Sequence, residues 1–292
     1  MKLRVLPCLL LLAAPVLAQG PAEESSPSVI ESVSAHYGYS TRTGLDNNGK
    51  VGEVAVNHGD ANISARLPLD QNTLFTFGFD YGVNSLDRAA GTPLPNQLSS
   101  VALDLGVKHK FSDEWGGGVS VRPGFYGDFQ NLNSDSFNAP VRLLANFKQS
   151  DTLAWVFGGE YDAFADTAFV PILILNWRAE EQWTFSLGFP RTTIRYQMTD
   201  KLALRAVASS ERTSYRINGN PAPAPLPNLG HTYLDYREIR LGLGANYALT
   251  RSLSLSADAG VLVHRQFDYY DRDYRLDGDT GAYVLVGITM KF

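Results

Sequence analysis

The chain has 292 residues, with 30 acidic against 25 basic side chains (formal charge −5), 44% hydrophobic residues and 11% aromatic ones. A mildly acidic chain without basic clusters is poorly suited to nucleic acid, whose phosphates demand Lys and Arg. Its single cysteine, Cys8, falls in an N-terminal segment expected to be removed. The mature chain is therefore expected to carry no disulfide, thiolate metal site or cysteine nucleophile.

Lys2 and Arg4 precede an apolar run from Val5 to Val16, interrupted only by Pro7, and Val16-Leu17-Ala18 offers the small-x-small pattern of a signal-peptidase site. The run is shorter than the ~20 residues of a membrane-spanning helix. Residues 1–18 thus read as an export signal cut before Gln19. Leu6-Pro7 stand before Cys8 where a lipoprotein signal would want small residues. Without Lys2 and Arg4 the mature chain keeps 23 basic residues against 30 acidic ones, a net charge near −7. Residues 19–28 are small and polar and read as a flexible leader. Residues 29–292 show no linker and no shift in composition, so they read as a single domain. No later stretch resembles a transmembrane helix. A membrane crossing would then be made by strands closed into a barrel, because hydrocarbon offers no partner to an open sheet edge.

From Val29 onward a hairpin recurs. An alternating strand ends on an aromatic, a short polar turn follows, and the next strand opens with Leu or Trp. The turns are Leu69–Asn72, Ser112–Glu114, Gln149–Thr152, Arg178–Gln182, Thr199–Lys201 and Thr250–Ser252. Aromatics before most of them (Phe111, Phe147, Trp177, Tyr196, Tyr247) suit a membrane interface. Longer connections alternate with these turns: Arg88–Leu98, Asp128–Asn138, Tyr161–Thr167, Asn218–His231 and Asp268–Gly281. One strand at Val29–Thr41, a pair about each of six turns, and a closing strand make fourteen. Gly52–Leu67 changes alternation phase between Val56 and Ala61, which predicts a bulge or loop around Asn57–Asp60. Trp183–Gln197 must hold two strands and a turn in few residues; if that hairpin does not cross the wall, the count is twelve. Phe169–Leu175 is apolar on both faces, which predicts that its inner face packs on something in the lumen or on a neighbouring subunit.

Along the strands Phe75, Phe77, Phe79 and Tyr81 alternate with Thr76, Gly78, Asp80 and Gly82. Leu253 to Val263 alternate with Ser254 to His264 in the same way. With strands of ~9–11 residues, the apolar set is expected to face lipid and the polar set to line the lumen. The inward candidates are Asp104, Lys108, Arg122, Arg142, Glu160, Arg205, Glu211, Glu238, Arg240 and Asp258. Such mixed charge can stiffen a wall through ion pairs or form the faces of a constriction.

Little points to catalysis. His36, His58, His109, His231 and His264 are isolated, and no Gly-x-Ser-x-Gly elbow is present. The five aspartates between Asp268 and Asp279 miss the EF-hand pattern, since Arg275 stands where an acidic ligand is required. They read as a solvated loop. Pro221, Pro223, Pro225 and Pro227 predict an extended loop that projects outward or folds over the mouth. We expect no enzyme and no cofactor.

The chain closes on Ala282–Phe292, with Ala282, Val284, Val286, Ile288, Met290 and Phe292 on one face and an aromatic carboxyl terminus. Together with the signal segment and the hairpins, this stretch resembles bacterial outer-membrane β-barrel proteins, most closely single-domain barrels of unknown function. The resemblance implies an all-β, transmembrane, antiparallel up-and-down barrel of about fourteen strands, with short periplasmic turns and long outer loops. It implies the outer membrane of a Gram-negative bacterium as location and membrane lipid as surroundings. It also implies that barrel-assembly machinery reads Val286, Ile288, Met290 and Phe292. No catalytic motif is carried over. The sequence-level expectation for function is a passive channel or transporter for small solutes, with a structural or surface-interaction barrel of filled lumen as the alternative.

Overall fold

A computed structural model describes residues 29–130, 132–222 and 224–292, so the export signal and the leader lie outside the described residues. The chain forms a closed antiparallel barrel of fourteen strands. In chain order they are β1 (Ile30–Asp46), β2 (Lys50–Pro68), β3 (Thr73–Arg88), β4 (Gln97–Lys110), β5 (Trp115–Val121, resumed at Gly124–Gly127), β6 (Val141–Lys148) and β7 (Leu153–Tyr161). Then follow β8 (Phe169–Arg178), β9 (Trp183–Phe189), β10 (Arg191–Gln197), β11 (Leu202–Ile217), β12 (Thr232–Ala248), β13 (Leu253–Tyr269) and β14 (Gly281–Lys291, with Tyr274–Gly278 leading into it). Each strand pairs with the next. The ring closes where Ser32 to Ser40 of β1 lie opposite Lys291 to Tyr283 of β14. The Trp183–Gln197 segment does hold two strands, joined at Pro190.

One end is made of short turns built by a repeated device. A short polar side chain accepts the backbone N–H groups two and three residues ahead: Asp70 from Asn72 and Thr73, Ser112 from Glu114 and Trp115, Ser150 from Thr152 and Leu153. Thr199 and Thr250 do the same for Lys201–Leu202 and Ser252–Leu253. These groups satisfy donors that the turn leaves outside the ladder. Just above the turns, Trp115 packs on Phe147, Trp177 on Phe185 and Trp183 on Tyr196, forming an outward aromatic band. Over it the outer wall is apolar, with Leu143 64% and Leu243 71% exposed alongside Phe79, Leu103, Ile63 and Val286. Such a belt on the outside of a closed barrel is the surface of a wall immersed in lipid.

At the other end the polarity inverts. Leu45, Val54, Val56, Leu86, Leu98, Leu234, Phe267 and Leu276 are buried together inside the ring. This inversion corrects the expected bulge in β2. The strand runs unbroken against β3 from Val54↔Arg88 to Pro68↔Leu74. Val54 and Val56 point into the packed core, whereas Ala61 and Ile63 point at lipid, so the phase change marks where the apolar face switches sides. The irregularities lie in β1, between Ser40 and Thr43, and where β12 meets β13 at Ile239–Arg240. The second of these turns Arg265, not His264, inward. Two further boundaries differ from expectation. The first strand continues to Asp46. Most of Asp268–Gly281 is strand, with Arg265–Tyr269 paired to Gly278–Tyr274 and only Tyr270–Asp273 left as a turn.

The wall is uneven in height. β9 and β10 have 7 residues each, whereas β1 and β12 have 17 and β2 has 19. Toward the loop end β6 to β10 drop out. The upper segment of β5 meets β11 directly through a parallel Gly127–Arg216 bridge. A wide barrel at the short-turn end thus tapers into a narrower ring at the loop end.

Candidate functional site: the barrel lumen

Through the wide half, the inner face is polar on one side. Arg205 (β11) holds Asp258 (β13) through both a 2.7 Å Nε–Oδ1 bond and a second Nη2–Oδ2 contact. His36 meets Asp60 at 2.8 Å and Asn62 donates to Asp80 at 2.6 Å. Asp104 faces inward beside Asp80, and Glu160 (β7) accepts from Arg122 at 3.1 Å and from Arg142 Nε at 2.9 Å. These pairs arise because inward positions recur at every second residue, so cross-strand neighbours meet at one height.

Lower on β6 and β7, and across to β8, the inner face turns apolar. Leu144, Val156, Ile172 and Ile174 point inward on β6, β7 and β8, where Ile174 is opposite Val156 and Leu144 is opposite Gly158. The two-faced apolar run in β8 therefore belongs to a stripe shared with two neighbouring strands. Near the short turns this stripe forms one wall of a vestibule of about 560 Å³, which Leu74, Lys108, Arg142, Leu144 and Val156 help to line. Gly116 and Gly118 line it from β5.

The loop end is filled. Residues Ala89–Asn96 tuck inside the ring, with Leu94 fully buried and the Tyr269 hydroxyl donating to the Pro93 carbonyl at 3.0 Å. Gly52 makes room for this loop, since a Cβ there would sit 2.2 Å from Thr92 Oγ1. Residues 218–222 and 224–231 fold over the mouth and bury Leu229 and Ala222 in the same core. Beneath the apolar plug lies a charged floor. Glu238, 1% exposed, accepts from Arg240 Nε at 2.7 Å, Arg265 Nε at 2.8 Å and the Tyr236 hydroxyl at 2.5 Å. Arg240 also reaches Glu211 at 2.8 Å and His58 at 3.1 Å. Every oxygen of the buried carboxylate is engaged, as burial of a charge requires.

The ten sequence candidates thus separate by place. Asp104, Lys108, Arg122, Arg142, Glu160, Arg205 and Asp258 line the wide half, while Glu211, Glu238 and Arg240 belong to the floor of the plug. Sequence reasoning missed Arg265 and His58. The irregularity in the β12–β13 pairing hid the first, and the inverted polarity of β2 hid the second. It also missed Leu144 and Val156, each masked by stronger apolar residues on the outward face. Leu94, a lone large apolar residue among Gly91, Thr92 and Pro93, was visible only as part of a loop.

The model of one family, described as Domain of unknown function (DUF6268), matches residues 35–276. No curated protein matches the chain. Among solved structures, an outer membrane channel from Pseudomonas putida F1 is 14% identical, with 94% of this chain and 100% of that chain covered and a TM-score of 0.48. The Pseudomonas putida toluene transporter TodX is 9% identical, covering 91% and 90% with a TM-score of 0.42. The NanC porin is 9% identical, covering 89% and 100% with a TM-score of 0.41.

Proposed function

Since the chain belongs to the DUF6268 family, whose description names no activity, we propose from the lumen itself that the protein is a passive conduit for small solutes in the outer membrane of a Gram-negative bacterium. The short turns then face the periplasm and the plugged end faces outward. One observation carries the reading. The wide half of the barrel holds a vestibule of about 560 Å³ beside the short turns. A barrel serving only as a rigid wall gains from filling its interior, because close packing contributes stability that an empty lumen forgoes.

The apolar belt and the aromatic band support the membrane placement. Val286, Ile288, Met290 and Phe292 face outward along the seam with β1, where assembly machinery would read them as the barrel closes. Solute uptake by proteoliposomes containing the purified barrel tests the proposal, and Arg205→Glu should shift the ion selectivity of any conductance in planar bilayers. The packed loop end favours a second reading, a sealed barrel displaying its loops to a surface partner. Absence of uptake for every solute tried, with the barrel folded, would leave that reading standing.

A further inference from the structure

Beside the plug the hydrogen-bond ladder of the wall is interrupted. A strand needs ~9–11 residues to cross the hydrocarbon at the usual tilt. β9 and β10 have 7 each, so their tip at Pro190 stops short of the far side. On one flank, pairing of β8 with β9 begins only at Leu173↔Phe189, which leaves Phe169–Ile172 paired to β7 alone. On the other flank, pairing of β11 with β10 ends at Ser209↔Arg191. Above that, Ser210 N–H donates to the Pro190 carbonyl at 2.9 Å. A strap of residues 162–168 crosses the top, tied down by Arg212 to the Thr167 carbonyl at 2.9 Å and by the Tyr270 hydroxyl to the Phe164 carbonyl at 2.9 Å.

Proline placement agrees with this geometry. In an antiparallel ladder alternate residues bond to alternate neighbours. Asp162 N–H bonds to the Ala168 carbonyl at 2.8 Å, so 160/170 and 158/172 are bonding pairs and position 171 directs its N–H toward the gap. Pro171 has none to direct. Exposed backbone edges at hydrocarbon depth persist only when they are covered by protein or line an aqueous cavity. This edge borders the lumen. Its outward rim is apolar, with Phe169, Leu173 and Phe189 exposed, and its inward side continues the Val170–Ile172–Ile174 stripe down to the vestibule.

We infer that this gap between β8 and β11, above the β9–β10 tip, is the doorway through which the conduit exchanges solute with the lipid, and that the solute is a small apolar molecule. The inference rests on the conduit reading. The axial route is occupied by the Leu94 plug, and a molecule emerging between Phe169 and Phe189 meets hydrocarbon, which admits apolar solutes and rejects ions and sugars.

The experiment compares three proteins, against a protein-free baseline, in vesicles whose outer leaflet is lipopolysaccharide, a layer that bars the apolar fluorescent probe N-phenylnaphthylamine; arabinose is the polar control. In the first variant β9 and β10 are each lengthened by two residues and Pro171→Val restores an N–H, so that the hairpin completes both ladders. In the second, Gly52→Cys with Thr92→Cys locks the plug; a Cβ on Gly52 lies 3.0 Å from the Thr92 Cβ, so the loop backs off by about 0.5 Å to reach the ~3.5 Å lower limit of a disulfide. Wild type should pass the probe and not arabinose. The lengthened hairpin should lower probe flux about tenfold, the change made by ~1.4 kcal/mol of added barrier, while the locked plug leaves flux unchanged. Val170→Trp, which fills the doorway from inside, replaces the first variant if lengthening prevents folding. Probe flux that survives the lengthened hairpin or Val170→Trp but is lost on locking the plug would overturn the doorway and keep the conduit. No flux through folded wild type would remove both.

Discussion

Gly127 and Arg216 form a parallel bridge, the only parallel pairing among the described residues of a sheet that is otherwise antiparallel. They come from β5 and β11, strands that β6 to β10 separate in the wide half of the barrel. Their meeting ends the wide lumen and creates the narrow plugged ring above it. Two halves with opposite polarity thus share one set of strands.

Gly127→Val should weaken this junction, because a Cβ at Gly127 would lie 2.8 Å from the Arg216 carbonyl oxygen. Overpacking of this kind costs roughly 1–3 kcal/mol. Urea unfolding of the barrel in detergent, followed by the gel shift between folded and heated forms, should show the loss. An unchanged midpoint would mean that the two segments do not touch in the folded protein.

Glu238→Ala should be among the most damaging single changes in the barrel. It strips Arg240 and Arg265, 5% and 0% exposed, of their shared carboxylate. Removing one partner of a buried ionic cluster typically costs ~3–5 kcal/mol, because the remaining charge stays buried without compensation. Replacing Arg265 as well, with Met, should recover part of the loss; a double variant less stable than Glu238→Ala would contradict this account.

Leu94→Ala should lower stability by about 2–5 kcal/mol, because Leu94 is fully buried in the plug. Replacing residues 90–95 by a short Gly-Ser linker should go further and open the axial route. Planar-bilayer conductance would then rise and arabinose would begin to pass. A deletion that leaves both at wild-type levels would show that the 218–231 segment alone seals the mouth.

Phe292→Ala should reduce the folded fraction recovered from membranes while leaving the unfolding midpoint of assembled protein close to wild type. The ring is 60% exposed, and the backbone N–H of Phe292 bonds to the Glu31 carbonyl at 3.2 Å whatever the side chain. Counting folded and unfolded bands in membrane fractions separates an assembly defect from lost stability. Equal folded fractions would place recognition elsewhere on β14.

Much of the architecture was legible because it follows from local patterns. Alternation of apolar and polar residues, turn chemistry such as Asp70 and Ser112, and the six short turns depend on neighbours within a few positions. These patterns yield fourteen strands, including the compressed pair about Pro190. The misreadings have a common origin. β2 carries Val54 and Val56 on the same face as His58 and Asp60. A periodicity argument assigns one environment to one face, and so reads the change as a break in the strand. Residues beyond Arg265 were displaced by the irregular pairing with β12, which no single strand records.

By itself, the sequence determined the number of strands, where the six short turns fall, and that one face of the wide barrel is oily, since these depend on side-chain period and turn preference. The tertiary structure alone decided that β5 meets β11, that the loop bearing Leu94 enters the ring, and that the wall stops early at Pro190. Those facts depend on unequal strand lengths brought together around a closed circumference, and closure is a property of the whole ring that no segment carries.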